Sequence, residues 1–377
     1  MKNAKKIRLS KSILGMQEVN AVKDVLLNDG YLGMGKYVRD FEDQLRSYLN
    51  RKHVICVNSG TAALHLALMA LGLKENDEVL VQSLTFVSCF QAISVTGAVP
   101  VACEIIPETC TIDLNDAQRR ITKNTKAIMP VHYASRVGEL DKIFKFAKKN
   151  NLRVIEDAAH AFGTIYKGKK VGSFGDISCF SFDGIKNITC GEGGAVVTDD
   201  DKIAEFIMDA RLLGVKKDTA KRYQGLRSWE FDVTCHGYRY HMSNIFAAIG
   251  LAQLKRLEKE FKPKRQELAK YYHCALNGIP EIILFPDDYK EIVPHIFPIR
   301  VLGKKRDVLR QYLCDNNIEC GVHYYPNHLL TLFTSKSLKL SVTEKVYSQL
   351  LTLPLHPDLS KDEQDKVIMC VKNFMER

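Results

Sequence analysis

The sequence predicts an α/β protein: a mainly parallel, seven-stranded sheet flanked by helices, joined to a smaller α+β C-terminal domain. Three observations carry that prediction. Short β-branched runs alternate with helical patterns through the first two-thirds of the chain. Many of those runs are apolar at successive positions, the pattern of strands covered on both faces. Beyond about residue 280 the alternation gives way to shorter, mixed elements.

The candidate strands are Val54 to Val57, Glu78 to Gln82, Val99 to Cys103, Ala127 to His132, Arg153 to Glu156, Ile177 to Phe182 and Ala195 to Thr198. Helical patterns such as Ala62 to Leu71 and Leu140 to Lys149 fall between them, giving the βα repetition of a doubly wound core. A long helical stretch, Ile245 to Tyr272, then leads away from the sheet. A kink or break is expected at Pro263, which has no N–H to donate and clashes with the preceding turn. Further on, Ile296 to Val301 reads as a strand and Arg306 to Asn316 as a helix. A turn punctuated by Pro354 and Pro357 precedes a final helix, Lys361 to Glu376. The expected division is residues 1–255 for a large domain with an N-terminal arm and 256–377 for the small domain.

The 377 residues are 46% hydrophobic and 26% charged, enough for a sizeable core and unlike a disordered chain, a collagen-like fibre or a small disulfide scaffold. No stretch approaches the roughly 20 apolar residues that cross a bilayer, and the basic N-terminus lacks a signal-peptide core. A cytoplasmic protein without membrane insertion is expected. The 11 cysteines contain no Cys-x-x-Cys pair, so neither a metal site nor a dithiol motif is expected. Most lie in apolar runs, as small hydrophobes. Lys+Arg 54 against Asp+Glu 44 leaves a net charge of +10. Because acids interleave with these cations, an anionic small molecule suits the surplus better than nucleic acid does.

Three segments carry chemistry. Phe180 to Asn187 takes Lys186 out of a strand past Gly184, and Gly191, Gly193 and Gly194 open the next strand. Val154 to His160 sets Asp157 at the C-terminal end of an apolar strand, where open α/β sheets bind ligands. Asn58 to Leu64 follows another strand and begins a helix, whose N-terminal amides and hydroxyls make a ready phosphate site. A plain Ser/Thr N-cap explains that last segment when it is taken alone. Together the three are the parts of a pyridoxal-phosphate site. The aldehyde needs a lysine that can lose its proton and form a Schiff base. The pyridine nitrogen needs a carboxylate, and the phosphate needs a helix N-terminus.

The chain resembles, almost end to end, the DegT/StrS-type sugar aminotransferases, members of the aspartate-aminotransferase fold (fold type I). The resemblance rests on Gly30-Tyr31-Leu32-Gly33-Met34-Gly35 with Phe41-Glu42, on Ser59 to Leu64, Thr85-Phe86, Pro130 to Tyr133 and Glu156 to His160, and on the lysine segment. Downstream it continues through Ala247-Ala248 to Gln253-Leu254, His323-Tyr324 and Leu353 to Leu355. It implies Lys186 as the Schiff-base lysine and proton shuttle, and Asp157 as the partner of the pyridine nitrogen. It further implies His160, at a position often Gln in the family, on the cofactor's phenolic oxygen, and Phe86 stacked on the ring. Gly60, Thr61 and Ala62 at the helix start, with the Ser181 hydroxyl, are implied phosphate contacts.

A homodimer with shared sites is also implied, with Arg239 or His241 of the partner subunit reaching the phosphate where the family often has Asn. Asp183 departs from the pattern of many members that act at a sugar's C4, which carry His there. A turn-bracing role and a substrate role are both open for it. His323 and Tyr324 are candidate substrate contacts or a packed turn.

The implied reaction is a ping-pong transfer of an amino group from L-glutamate to a nucleotide-linked keto-sugar, with the cofactor alternating between its PLP and PMP forms. The Lys186 to Gly194 run is more similar to the 4-amino branch than to the 3-amino branch. That gives a dTDP- or UDP-linked 4-keto-6-deoxy sugar, with dTDP-4-amino-4,6-dideoxyglucose as the named product, for surface-polysaccharide or O-antigen assembly. The alternatives are a 3-keto substrate, a sugar dehydratase of the same family and a non-catalytic regulator. Dehydratases typically replace the lysine by His, and the intact Lys186, Asp157 and Thr61 argue against the regulator.

Overall fold

Apolar runs with no polar face require cover on both sides, and the sheet provides it. The computed structural model describes residues 6–286, 288–334 and 338–376. Its large sheet contains β1 (His53–Val57), β2 (Glu78–Gln82), β3 (Val99–Cys103), β4 (Thr125–Met129), β5 (Arg153–Asp157), β6 (Ile177–Ser181) and β7 (Gly194–Thr198). The spatial order is β1-β7-β6-β5-β4-β2-β3. Strand β7 runs antiparallel to both neighbours, while the other pairings are parallel.

Successive side chains of a strand point to opposite faces, and here each face has its own core. Val54 and Cys56 of β1, with Ala195 and Val197 of β7, join the helices Lys36–Leu49 and Asn244–Arg256 in one core. Ile55, Val57 and Val196 join the helices Gly60–Ala70 and Asp201–Ala210 in the other. Helix Gly60–Ala70 is buried continuously from Ala62 to Leu68, so it has no solvent face over that stretch.

The long helical stretch is continuous through three segments: α-helix Asn244–Arg256, a π-helical run Leu257–Phe261 and α-helix Lys262–Leu276. The irregularity therefore precedes the break expected at Pro263. That proline sits in the first turn of the third segment, where a missing N–H is tolerated. Leu257 and Phe261 pack into the first core, whereas Leu268, Tyr272 and Leu276 belong to a third. This third core also holds a small antiparallel sheet, β8 (Ile282–Leu284), β9 (Phe297–Val301) and β10 (Leu350–Leu353), with helices Arg306–Asp315 and Lys361–Met375. Ile7 joins it through a bridge to Ile318, so the N-terminal segment is anchored on the C-terminal elements. Among the described residues no helix is long and apolar enough to cross a membrane.

Candidate active site

The C-terminal ends of β1, β5 and β6 lie on one edge of the sheet. There a cavity of about 330 Å³ is bounded by the loops that follow these strands, by Thr85 and Phe86 after β2, and by His323 and Tyr324.

The start of helix Gly60–Ala70 forms one wall. Ser59 is its N-cap, and its hydroxyl accepts from the Ala62 amide at 3.1 Å. The Ala63 amide donates to the Ser59 carbonyl at 3.1 Å. Gly60 and Thr61 line the cavity, with their amides at the open end of the helix. Ala62 does not line it and is buried below, so of the three helix-start residues expected at the phosphate it stands apart. Two glycines make this wall possible. A Cβ on Gly60 would meet the Cβ of Ser181 at 2.7 Å, and one on Gly194 would meet the Ser59 carbonyl oxygen at 2.4 Å. Ser181 is thereby held against the helix start, at the cavity edge.

After Ser181 the chain turns. The Lys186 amide donates to the Asp183 carbonyl at 3.1 Å, and the Ser12 hydroxyl braces the Gly184 carbonyl at 2.5 Å. Lys186 thus reaches the cavity from the end of β6, half-buried. Among the described residues no carboxylate is in ion-pair contact with it. Its enclosure pushes the amine's pKa below the ordinary lysine value, with Asp157 and then Asp183 pulling the other way. Asp157, buried at the end of β5, accepts from the Ala159 amide at 3.0 Å and from the Cys89 thiol at 2.9 Å.

His160 is buried and its Nε2 is hydrogen-bonded to the Tyr324 hydroxyl at 2.9 Å. Its ring packs on His295 with centroids 4.4 Å apart. Burial, and then the charge of Lys186, hold both imidazoles well below the ordinary histidine pKa. The same causes bring His323 down to about 4. Near neutral pH these histidines are therefore uncharged. Phe86 is exposed, its ring 5.7 Å from that of Tyr324, and it presents an open aromatic face at the cavity. Asp183 and Glu192 also line the cavity, and burial followed by the nearby Asp183 raises the Glu192 pKa.

Arg239 and His241 are not brought to this cavity in their own chain. Their segment runs beside β1, with His241 bridged to Val57 and the Asn58 amide donating to the Tyr240 carbonyl at 2.6 Å. The two side chains line a separate hollow with Arg222 and Phe231. Burial, then Arg239, lower the His241 pKa to about 4, so Arg239 is the cation of the two near neutrality.

Reading the sequence alone missed Cys89 and His295. Cys89 is hidden in an apolar run, and no spacing links His295 to His160. Glu192 was visible as part of the Gly191 to Gly194 run but had no assigned role.

A family profile described as the DegT/DnrJ/EryC1/StrS aminotransferase family matches residues 13–372. The spore coat polysaccharide biosynthesis protein SpsC of Bacillus subtilis is 36% identical, over 96% of this chain and 95% of its own. PseC of Helicobacter pylori, an aminotransferase involved in the biosynthesis of pseudoaminic acid, has a TM-score of 0.90 at 29% identity, covering 99% of this chain and 100% of its own. Spr1654 of Streptococcus pneumoniae, named as a sugar aminotransferase and solved in its PMP form, has a TM-score of 0.91 at 29% identity, covering 98% of each chain. The chain therefore belongs to the DegT/DnrJ/EryC1/StrS aminotransferase family.

Proposed function

We propose that this aminotransferase uses pyridoxal phosphate to move the amino group of L-glutamate onto C4 of a nucleotide-linked 4-keto-6-deoxy sugar. The product we name is dTDP-4-amino-4,6-dideoxyglucose, made in the cytoplasm for surface-polysaccharide assembly. One observation carries the cofactor reading: Lys186, Asp157 and the helix start at Gly60 and Thr61 meet in a single cavity. The likeness to SpsC and PseC supports a sugar as the amine acceptor. The choice of C4 over C3 rests on the likeness of the Lys186 to Gly194 run to the 4-amino branch.

The residues present fit the cofactor. The amides of Gly60 and Thr61, with the hydroxyls of Thr61 and Ser181, suit a phosphate. Asp157 suits a protonated ring nitrogen, and Phe86 offers a face for stacking. His160 has a buried Nδ1 with no partner among the described residues, a group left over for a ligand. When bound, pyridoxal phosphate supplies an electron-accepting ring that holds the amine between the two half-reactions.

The chain's own residues do the rest. The lowered pKa of Lys186 raises the neutral fraction of its amine, so Nζ acts as nucleophile and then carries the proton in each half-reaction. Asp157 keeps a proton on the ring nitrogen. His160, braced by Tyr324, orients the ring. Arg239 of the partner subunit, a permanent and fork-shaped cation, suits the phosphate better than His241 does. This reading takes the protein to be a homodimer with shared sites. We read residues 1–255 as the cofactor-binding domain and 256–377 as the small domain that contributes His323 and Tyr324 toward substrate.

Turnover of a panel of dTDP- and UDP-linked 3-keto and 4-keto sugars with L-glutamate, followed by NMR of the product, tests this reading. Nitrogen at C4 is expected, and nitrogen at C3 overturns the regiochemistry. Borohydride reduction with peptide mapping is expected to trap the cofactor on Lys186. A trap elsewhere, or none, overturns the cofactor assignment.

A further inference from the structure

We propose that Cys89 is a positioning residue for Asp157, its thiol fixing the carboxylate so that the remaining acceptor sites face the cavity. This rests on the reading that Asp157 meets the ring nitrogen of pyridoxal phosphate. An ionised carboxylate has about four acceptor sites. Here the Ala159 amide occupies one on Oδ1 at 3.0 Å, and the Cys89 thiol occupies one on Oδ2 at 2.9 Å. Cys89 is fully buried and does not line the cavity, whereas Asp157 does. The thiol therefore holds the carboxylate without competing for the space a ligand takes.

The same short segment carries Phe86. The Cys89 amide donates to the Phe86 carbonyl at 3.3 Å, and the Thr85 hydroxyl lies 3.3 Å from the Cys89 sulfur. Residues 85–89 thus form one turn that presents an aromatic face to the cavity and braces the acid on β5. A thiol suits the second task. It is a weak donor, so it orients the carboxylate while drawing off little of the charge that a ring nitrogen needs. Burial, followed by the charge of Asp157, keeps this thiol protonated and donating.

The test compares Cys89→Ala and Cys89→Ser in the full chain. The readouts are the dissociation constant for pyridoxal phosphate and the pH titration of the bound cofactor's visible absorption. Loss of one hydrogen bond from a weak donor predicts about fivefold to tenfold weaker binding in Cys89→Ala, together with a shifted titration. Cys89→Ser keeps a donor and is expected to restore the affinity, with a titration shift smaller than that of Cys89→Ala. Equal affinity and titration in Cys89→Ala and the unaltered protein overturns the proposal. So does Cys89→Ser as impaired as Cys89→Ala, since packing alone then explains the residue. If Cys89→Ala fails to fold, Cys89→Thr and Cys89→Val make the same comparison at matched shape, with equality again overturning the proposal. Asp157→Asn separates the two levels. If it leaves affinity and titration unchanged, the Asp157 reading fails. If it alters them while the Cys89 variants do not, only the present proposal fails.

Discussion

Two cations withdrawn from bulk water, Arg211 and Lys186, show what separates a charge that is held from one that is easily lost. Arg211 is 0% exposed. It donates to Glu42 at 2.6 Å, to the Cys56 carbonyl at 2.7 Å and to the Tyr223 hydroxyl at 2.8 Å. Glu42 in turn accepts from the Cys56 amide at 2.8 Å and from Tyr223. Burial opposes the Arg211 charge, but Glu42 and then Tyr223 hold its pKa above the ordinary arginine value. Among the described residues Lys186 has no such acid in contact, and its pKa falls. Burial is common to both cations, and pairing decides the outcome. The paired cation ties the helix Lys36–Leu49 to β1, whereas the unpaired one faces a cavity with an amine that can lose its proton.

The largest expected effect is on Lys186. On the proposed role of Lys186 as nucleophile and acid–base group, Lys186→Ala should lower transamination by at least about 10³-fold. Lys186→Arg should be equally poor, because a guanidinium keeps its charge. Single-turnover assays with L-glutamate check both, and near-normal turnover in either variant breaks the contrast. At Arg211 the opposite behaviour is expected. Glu42→Gln should cost roughly 3–5 kcal/mol of stability, the scale for leaving a buried ion without its partner. The folded fraction should still load cofactor on Lys186. Denaturant melts measure the first quantity and absorbance titration the second.

A smaller effect concerns pH. The folded-state pKa of Lys186 lies below its ordinary value of 10.5. Between those two values the unfolded chain binds more protons than the folded one, so this group makes stability rise with pH across that window. Below the folded pKa its penalty is fully present. Lys186→Met should therefore flatten the rise of unfolding free energy with pH just below 10.5. A slope identical to that of the unaltered protein would mean that enclosure does not depress this amine.

The strands were legible because two-faced burial leaves a plain mark. In β1, Val54 and Cys56 serve one core while Ile55 and Val57 serve the other, so no polar position interrupts the run. Helix Leu140–Lys149 was legible with the same bounds. Strand direction was not, since an apolar run reads alike in either sense, and β7 turned out antiparallel. At the site, Lys186, Asp157 and Thr61 stood out because each lies at or past the C-terminal end of a strand, and these ends converge. Hydrogen-bond competition was invisible: the Ala62 amide is taken by the Ser59 hydroxyl. Long-range contacts were equally hidden. Tyr324 meets His160 across 164 residues, and nothing local to either marks the pair.

That pair provides the finest probe of the contrast between paired and unpaired groups. Tyr324 keeps its proton, since burial and then Asp157 raise its pKa, and its hydroxyl bonds a histidine that is itself held neutral. Both partners are uncharged, so the bond belongs to the weaker class, worth about 1 kcal/mol or roughly fivefold. Tyr324→Phe removes the hydroxyl and keeps the ring that packs 5.7 Å from Phe86. Cofactor affinity should drop by about that factor, because His160 loses its brace, while turnover with saturating cofactor should fall far less than in Lys186→Ala. A large fall in turnover would instead place the hydroxyl at the chemical step, and Lys186 would no longer be the sole proton carrier on that side of the cavity.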